Sequence, residues 1–573
     1  MQKIPFSKPS SFLVDSLFFL FVGAILYGLT AFGAEWKASY NPSYKIDLSL
    51  TALPMYALFS ALRGLIAYFI SLAFTLVIGY WAAKSLKAEK VILPLLDIMQ
   101  SIPVLGFLPG LVLGLVAIFP RTNVGLELAS IIMIFTGQVW NMTFAFYSSL
   151  KSVPIDLKEA VSVMELSPIQ RLKLLELPYS AMNLTWNSLM SMAGGWFFLT
   201  VCEAFTLGNN TYRLPGLGAY MAVAIESGSA KEIVAGITAM AFVIILFDML
   251  LWRPALVWAH RFRLEDNLNQ TVEEPFIQIL IRESFIIRLF RFLYIRRLFI
   301  QHRRISLLEP TERLKAKIKF HLPTPPSYVV YSLYALAICF AVYATLRLFG
   351  ILASISFSYW VEILTDTGFT FLRVIFTLVI GTLWATPLGI WITQDSKRLR
   401  VAQPIIQLLA SFPAPMLYPL AISVFLFLHI NFEISSMLLM LLGVQWYILF
   451  NVLAGALRIP SELRLSMQLM NSSTWQQWRY LFLPSVLPAL VTGWVTAAGG
   501  AWNASIVSEL ISYKGTVLKA HGLGAKISEA AEQADFPRLA ACLFVMVLFV
   551  VILNRTFWSK LYRVSQVRFR LDL

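Results

Sequence analysis

From Trp140 onward the chain repeats itself at one fixed interval. Trp140 matches Trp446, Pro154 matches Pro460 and Pro178 matches Pro484, each pair 306 residues apart. Gly194, Trp196 and Glu203 recur as Gly500, Trp502 and Glu509, and Gly216-Leu217-Gly218-Ala219 as Gly522-Leu523-Gly524-Ala525, at the same interval. Upstream the interval drifts: Pro94, Ser101-Ile102-Pro103 and Pro109 recur 310 residues on as Pro404, Ser411-Phe412-Pro413 and Pro419. FTLVIG at Phe74–Gly79 returns at Phe376–Gly381, 302 residues on. A repeat this long requires two copies of one architecture, whatever that architecture is.

Each copy is too apolar to be soluble. The chain is 58% hydrophobic and 13% charged, where soluble domains carry about 25% charged residues. That excludes a cytosolic enzyme, a disordered chain and a disulfide scaffold. Cys202, Cys339 and Cys542 each sit in an apolar stretch and read as small hydrophobes, and the scattered histidines have no ligand spacing. A membrane-crossing helix needs about 20 apolar residues. Twelve stretches qualify: about 12–33, 60–83, 104–120, 127–150, 182–205, 233–256, 326–350, 367–393, 412–430, 434–456, 487–511 and 537–557. The expected fold is an all-α polytopic membrane protein of about twelve spans in two parallel six-helix repeats. Residues 1–256 form the first unit, 257–325 a basic connector and 326–573 the second unit.

The net charge of +15 orients this arrangement. Residues 1–10, 253–320 and 555–573 carry net +2, +7 and +4, while the loops 34–53, 120–127, 206–232 and 512–536 each balance to zero. The positive-inside rule then places both termini and the connector in the cytoplasm. Arginines of the connector do not share one helical face, so it is expected as one or more helices on anionic lipid rather than as a nucleic-acid site. An even number of spans per copy gives parallel repeats with a pathway between them, which favours transport over a duplicated enzyme.

Between the fourth and fifth spans of each copy lies a polar, helix-patterned insert: SVPIDLKEAVSVMELSPIQRLKLLELP at 152–178 and RIPSELRLSMQLMNSSTWQQWRYLFLP at 458–484. Each runs 24 residues from a first proline, Pro154 or Pro460, to a closing Leu-Pro, Leu177-Pro178 or Leu483-Pro484. Two short helices broken near Ser167-Pro168 and Ser472-Ser473 are expected. One such insert alone reads as an amphipathic connector on the bilayer surface; duplication at fixed length argues against that.

These inserts resemble the E-A-A-x3-G-x9-I-x-L-P loop of ABC importer permeases. Glu159, Ala160 and Val161 fill the E-A-A, and Leu175 and Leu177-Pro178 close the pattern, with Glu165 at the glycine position. The second copy places Leu465, Ser466 and Met467 at E-A-A and Asn471 at the glycine, with Glu462 about one turn earlier. The resemblance implies that this loop docks on an ATPase subunit. The S-x-P segments Ser101–Pro103 and Ser411–Pro413, with the Gly, Trp, Glu and Gly-Leu-Gly run, look like the nitrate/sulfonate/taurine/bicarbonate branch. It covers roughly 60–255 and 365–557, two permease units fused in tandem. It implies two separate ATPase subunits carrying ATP-Mg, an extracytoplasmic binding protein, a bacterial inner membrane and a small anion as cargo. No Gly-x4-Gly-Lys-Ser/Thr loop occurs, so this chain is not expected to hydrolyse ATP or to hold a cofactor or metal. A duplicated secondary transporter driven by an ion gradient is the alternative.

Ionisable residues in spans are functional candidates by default. Asp15, Arg63, Asp248, Arg347 and Arg538 lie near expected span ends and are read as snorkelling to the interface. Glu203 and Glu509 read either as helix caps paired with a local donor or as a gate at the pathway mouth, with Ser101, Pro103, Ser411 and Pro413 as further pathway or gate candidates. Arg373, matched roughly to Ser71 and so unpaired by symmetry, reads either as a lone buried arginine that attracts an anion or, in preference, as part of a structural salt bridge, and Trp140 and Trp446 as core or interface anchors rather than ligands.

Overall fold

The structure is a computed structural model that describes Gly23, residues 26–262 and residues 327–568, apart from Glu165 and Asn209. Most of the first expected span, nearly all of the connector 257–325, and Glu165 lie outside the described residues. The chain divides into two units. One contains the helix Ser327–Ala353. The other, Gly28–Asp266 with Ile355–Leu573, contains both copies of the repeat beyond their first helices.

In the first copy α1 (Leu53–Lys84) is followed by α2 (Leu86–Ser101), α3 (Val104–Ile118) and α4 (Val124–Lys151). The insert gives α5 (Ile155–Val163) and a one-turn helix Pro168–Arg171 that runs into α6 (Leu177–Cys202). A hairpin, β1 (Ala204–Leu207) and β2 (Asn210–Arg213), precedes α7 (Leu217–Ser227) and α8 (Ala230–His260). The second copy repeats the order as α9 (Phe357–Thr393), α10 (Ser396–Ser411), α11 (Ala414–Phe427), α12 (Phe432–Leu457), α13 (Ser461–Leu469) and α14 (Thr474–Ser508). The hairpin β3 (Leu510–Tyr513) and β4 (Thr516–Lys519), α15 (Leu523–Glu532) and α16 (Phe536–Ser565) complete it.

Seven described helices are long and apolar enough to cross a bilayer (α1, α4, α8, α9, α12, α14 and α16), or eight if the bent pair α10–α11 counts as one. That is fewer than the twelve stretches expected. α3 is too short, since at 1.5 Å per residue it spans about 22 Å against a hydrocarbon core of about 30 Å. α6 is long enough but carries Asn183, Asn187, Ser188 and Ser191, of which Asn183 donates to the Ala145 carbonyl and to Ser149 of α4.

The Ser-x-Pro segments are corners. α10 and α11 meet at 89°, with Phe412 and Pro413 extended at the bend, and Ile102 and Pro103 do the same in the first copy. Proline supplies no N–H to continue the helix and pushes the preceding residue out of the α region. The Leu-Pro pairs, by contrast, do not end the inserts. Turns Leu172–Glu176 and Trp478–Phe482 widen to π geometry just before Pro178 and Pro484, and the helix continues. A wider turn relieves the clash of each proline ring with the carbonyl four residues back.

Two features correct the sequence reading. The fold is not purely helical: each copy carries an antiparallel hairpin of two four-residue strands after its buried glutamate. Lys514 and Gly515 both have positive φ, the turn geometry that matches strand twist. The FTLVIG match is not a structural equivalence. A Cβ on Gly79 would lie 3.0 Å from Phe146, and one on Gly389 would lie 2.6 Å from Val452. Phe146 and Val452 are equivalent at the 306 interval, so α1 and α9 correspond at 310 rather than 302.

Candidate functional site

The 310 register pairs Arg63 with Arg373, and both are buried. Arg63 donates from Nε and Nη2 to the two oxygens of Glu127 at 2.7 and 2.6 Å, and from Nη1 to Glu203 at 2.7 Å and the Pro215 carbonyl at 2.9 Å. All three ionised side chains are 0% exposed. Ser60 donates to Glu203 at 2.7 Å and accepts from the Leu217 N–H, while the Gly218 N–H donates to Glu203 at 2.7 Å. Snorkelling of Arg63 is therefore overturned. α1 is long enough to bury this position against α4 and α6, and carboxylates from both neutralise it.

The second copy builds the same triad from Arg373, Glu433 and Glu509, with Thr370 in place of Ser60. Thr370 accepts from the Leu523 N–H at 2.8 Å, and the Ala525 N–H donates to Glu509. One member is open to the surroundings: Glu433 is 35% exposed and also receives His521 through its backbone and ring nitrogens. Arg373 is thus neither alone nor a counterpart of Ser71.

The Gly-Leu-Gly runs exist because of these triads. A Cβ on Gly216 would sit 2.4 Å from the Glu203 carboxylate, and one on Gly218 would sit 2.6 Å from the Thr200 carbonyl oxygen. Gly522 and Gly524 meet Glu509 at 2.3 Å and the Ser505 carbonyl at 2.5 Å in the same way. Each triad therefore staples α1 or α9, α4 or α12, and the start of α7 or α15 to the end of the α6 or α14 helix. Buried pairs hold together only with close geometry and satisfied lone pairs, and both triads meet that condition. Glu203 and Glu509 do not line either of the two cavities that lie between the copies.

The first of these cavities, about 200 Å³, is built from equivalent residues of both copies: Trp140, Asn141 and Gly194 face Trp446, Tyr447 and Gly500. The tryptophans expected as core anchors thus form part of its wall. Ser411 lines it, as do Val104 and Ala414, the residues after Pro103 and Pro413. The second cavity, about 330 Å³, lies toward the hairpins, with Pro109, Phe205 and Gly218 opposite Pro419, Ile511 and Tyr513. At the boundary between them the Val104 N–H donates to Asn503 Oδ1 across the copies at 2.7 Å. Phe197, the equivalent of Asn503, instead packs against the Ala414–Tyr418 cluster. Further along, Gln407 of the second copy donates to Asp248 of the first at 2.9 Å. The two copies therefore touch through these polar contacts and through apolar packing, with Trp186 on Phe450 and with Phe412 and Met416 against the core of the first copy, around a shared axial space.

The inserts form the two short helices expected, with Ser167 and Ser473 as capping-box residues of the second helix in each. α5 carries Glu159 and Ala160, and α13 carries Glu462 and Ser466, with Pro154 and Pro460 just before the first helical residue. Asn471 has φ of 49°. That is the left-handed position after a helix end where glycine is favoured and asparagine is the next most tolerant residue. Both inserts present bare apolar side chains: Val163 is 83% exposed and Leu469 75%. Their roots differ. Glu176 takes Lys84 and Arg171 in the first copy, whereas Phe482 is buried at the equivalent place in the second.

A duplicated helical membrane protein with an axial space between its copies and paired surface inserts is a transport protein by architecture. The chain belongs to the family of binding-protein-dependent transport system inner membrane components, which matches it twice, at residues 75–252 and 385–557. It is a permease subunit of an ABC importer, with two permease units in one chain; the family works with an ATPase and a binding protein. The matches begin 310 residues apart, in agreement with the register of Arg63 and Arg373. No curated protein matches the chain. Among the described residues no cluster of His, Cys, Asp and Glu is arranged to hold a metal ion.

Proposed function

We propose that the chain forms the whole translocation unit of an ATP-driven importer for a small anion of the nitrate, sulfonate, taurine or bicarbonate kind, crossing the inner membrane about twelve times with both termini in the cytoplasm. Two ATPase subunits, each holding ATP-Mg, dock on residues 152–178 and 458–484, and an extracytoplasmic binding protein delivers cargo at the hairpin side. The observation that carries this reading is the pair of inserts. Each is a capped helix–turn–helix that leaves Val163, Ile169 and Leu174, or Leu469, Met470 and Trp475, more than half exposed. Apolar patches of that kind mark partner surfaces.

In this scheme the docked ATPases move α5 and α13, and the motion passes through the π turns into α6 and α14, which line the axial cavity. Pro154, Glu159, Ala160, Glu165, Leu177 and Pro178, with Pro460, Glu462, Ser466, Asn471, Leu483 and Pro484, are the coupling residues. Ser101, Pro103, Ser411 and Pro413 shape the gate at the corners. Glu203 and Glu509 act on it indirectly, by anchoring the outer ends of α6 and α14.

The test is co-purification with an ABC ATPase subunit expressed together with this chain. The wild-type chain retains it, and Val163→Asp with Leu469→Asp weakens binding at least about tenfold, equivalent to about 1.4 kcal/mol. Undiminished ATPase binding by the double variant would overturn the docking assignment.

A further inference from the structure

The cavity at the hairpins is mostly aliphatic. Leu105, Met221 and Ile225 of the first copy line it together with Met416, Ile422 and Ile506 of the second, and among the described residues no Lys, Arg or His does. Thr206, Ser512 and Glu532 line it too and are exposed, which marks where it opens.

Most of the remaining polar side chains in its wall are spent on the protein. Thr200 donates to the Phe197 carbonyl at 2.8 Å, Ser528 to the Ile506 carbonyl at 2.5 Å, and Tyr513 shares a hydrogen bond with Ser423 at 2.6 Å. Tyr418 is the exception. It is 4% exposed, and its hydroxyl is buried without a hydrogen-bond partner. Buried polar groups are nearly always paired, so this one marks a place for a partner from outside the chain. The equivalent residue 310 positions earlier is Leu108, which lines the same cavity. Packing at this position is therefore met by a leucine in one copy, and the second copy adds a hydroxyl that nothing in the wall uses.

Size and chemistry narrow the occupant. At about 330 Å³ the space is more than twice the about 150 Å³ at which an apolar cavity stays dry and binds benzene. A water beside Tyr418 would find one buried partner where it needs two to four. An anion would shed its hydration with no cation in the wall. An apolar molecule buries its surface there, and a single acceptor on it completes the Tyr418 hydroxyl.

We propose that the hairpin-side cavity is a binding site for an uncharged, largely apolar molecule that carries one hydrogen-bond acceptor, which takes the Tyr418 hydroxyl. Both copies wall the cavity, so an occupant ties their hairpin sides together. On the reading that the copies part there to admit cargo, the occupant arrests uptake; that consequence rests on the proposed function, whereas the site itself does not.

Benzophenone and diphenylmethane test it, since they differ only by a carbonyl in place of a methylene. The full chain in nanodiscs is titrated with each while its melting temperature is followed. Benzophenone is expected to raise it at concentrations about fivefold lower than diphenylmethane, as one added hydrogen bond allows. Tyr418→Phe removes that preference and leaves the diphenylmethane response in place; unliganded melting temperatures report the folding of the variant. Irradiation couples bound benzophenone to nearby C–H bonds, and peptide mass spectrometry of the unaltered chain finds the label on Met221 or Met416. Equal responses to the two probes, no response to either, a preference that survives Tyr418→Phe, or label confined to other helices would each overturn the site. Benzophenone is also expected to inhibit ATP-driven uptake, about fivefold less potently in Tyr418→Phe, and uninhibited uptake at saturation would overturn the arrest. Failure of the permease reading is distinguishable, because neither melting nor labelling uses an ATPase or a cargo.

Discussion

Arg63 is the residue whose removal tests the packing account most severely. Arg63→Met deletes the four hydrogen bonds of its guanidinium and strands Glu127 and Glu203, both 0% exposed. Removing one partner of a buried pair costs about 3–5 kcal/mol, and here one substitution strands two carboxylates, so at least about 5 kcal/mol is expected. Arg373→Met strands fully only Glu509. Glu433 is 35% exposed and keeps His521, so the cost falls nearer the lower end, about 3 kcal/mol. Heat challenge of detergent-extracted chain followed by size-exclusion chromatography ranks the two: Arg63→Met leaves little folded protein, and Arg373→Met melts measurably earlier than the parent. Combining Arg63→Met with Glu127→Met and Glu203→Gln removes the stranded charge while keeping an acceptor for the Gly218 N–H, and recovers most of the loss. Equal cost of the two arginine variants, or a triple variant no better than the single, would refute the reasoning.

Other expectations follow from the same contacts. Gly218→Ala and Gly524→Ala drive a methyl against the Thr200 and Ser505 carbonyls, at 2.6 and 2.5 Å, and each lowers thermal stability by about 1–3 kcal/mol. Asn503→Leu leaves the Val104 N–H without its cross-copy acceptor and destabilises by about 1–3 kcal/mol; maleimide labelling of a cysteine placed at Phe197 then speeds up, as the boundary between the cavities loosens. Asn471→Gly is tolerated, while Asn471→Val, at a φ of 49°, costs about 1–2 kcal/mol and lowers ATPase co-purification.

The copies, their inserts and their parallel order were legible because each rests on residues that repeat in type and spacing. Proline corners and serine caps act through local backbone chemistry, so Ser167, Ser473 and the Ser-x-Pro segments could be placed without tertiary information. The triads could not. Glu127 and Glu433 sit at helix starts, where nothing local points to a buried partner, and the partnership of Arg63 with Arg373 was hidden by FTLVIG, which suggested a register two helical turns away. Hydropathy alone does not separate a bilayer-crossing helix from α3, which is apolar but short. The second hairpin does carry a local signal: Tyr513-Lys514-Gly515-Thr516 between two short β-prone runs is a turn sequence. The cavity lining was out of reach, since only packing decides that Asn141 and Tyr447 face each other while Glu203 and Glu509 do not enter.

The central claim is that ATP hydrolysis on a separate subunit drives solute through this chain. Uptake of labelled solute into proteoliposomes holding the chain with its ATPase and binding protein measures this directly. The account predicts uptake that requires ATP on the insert side and is abolished by Val163→Asp with Leu469→Asp, with no uptake when only a proton or sodium gradient is imposed. Uptake by the chain alone on an ion gradient, without ATP or partner, would contradict it.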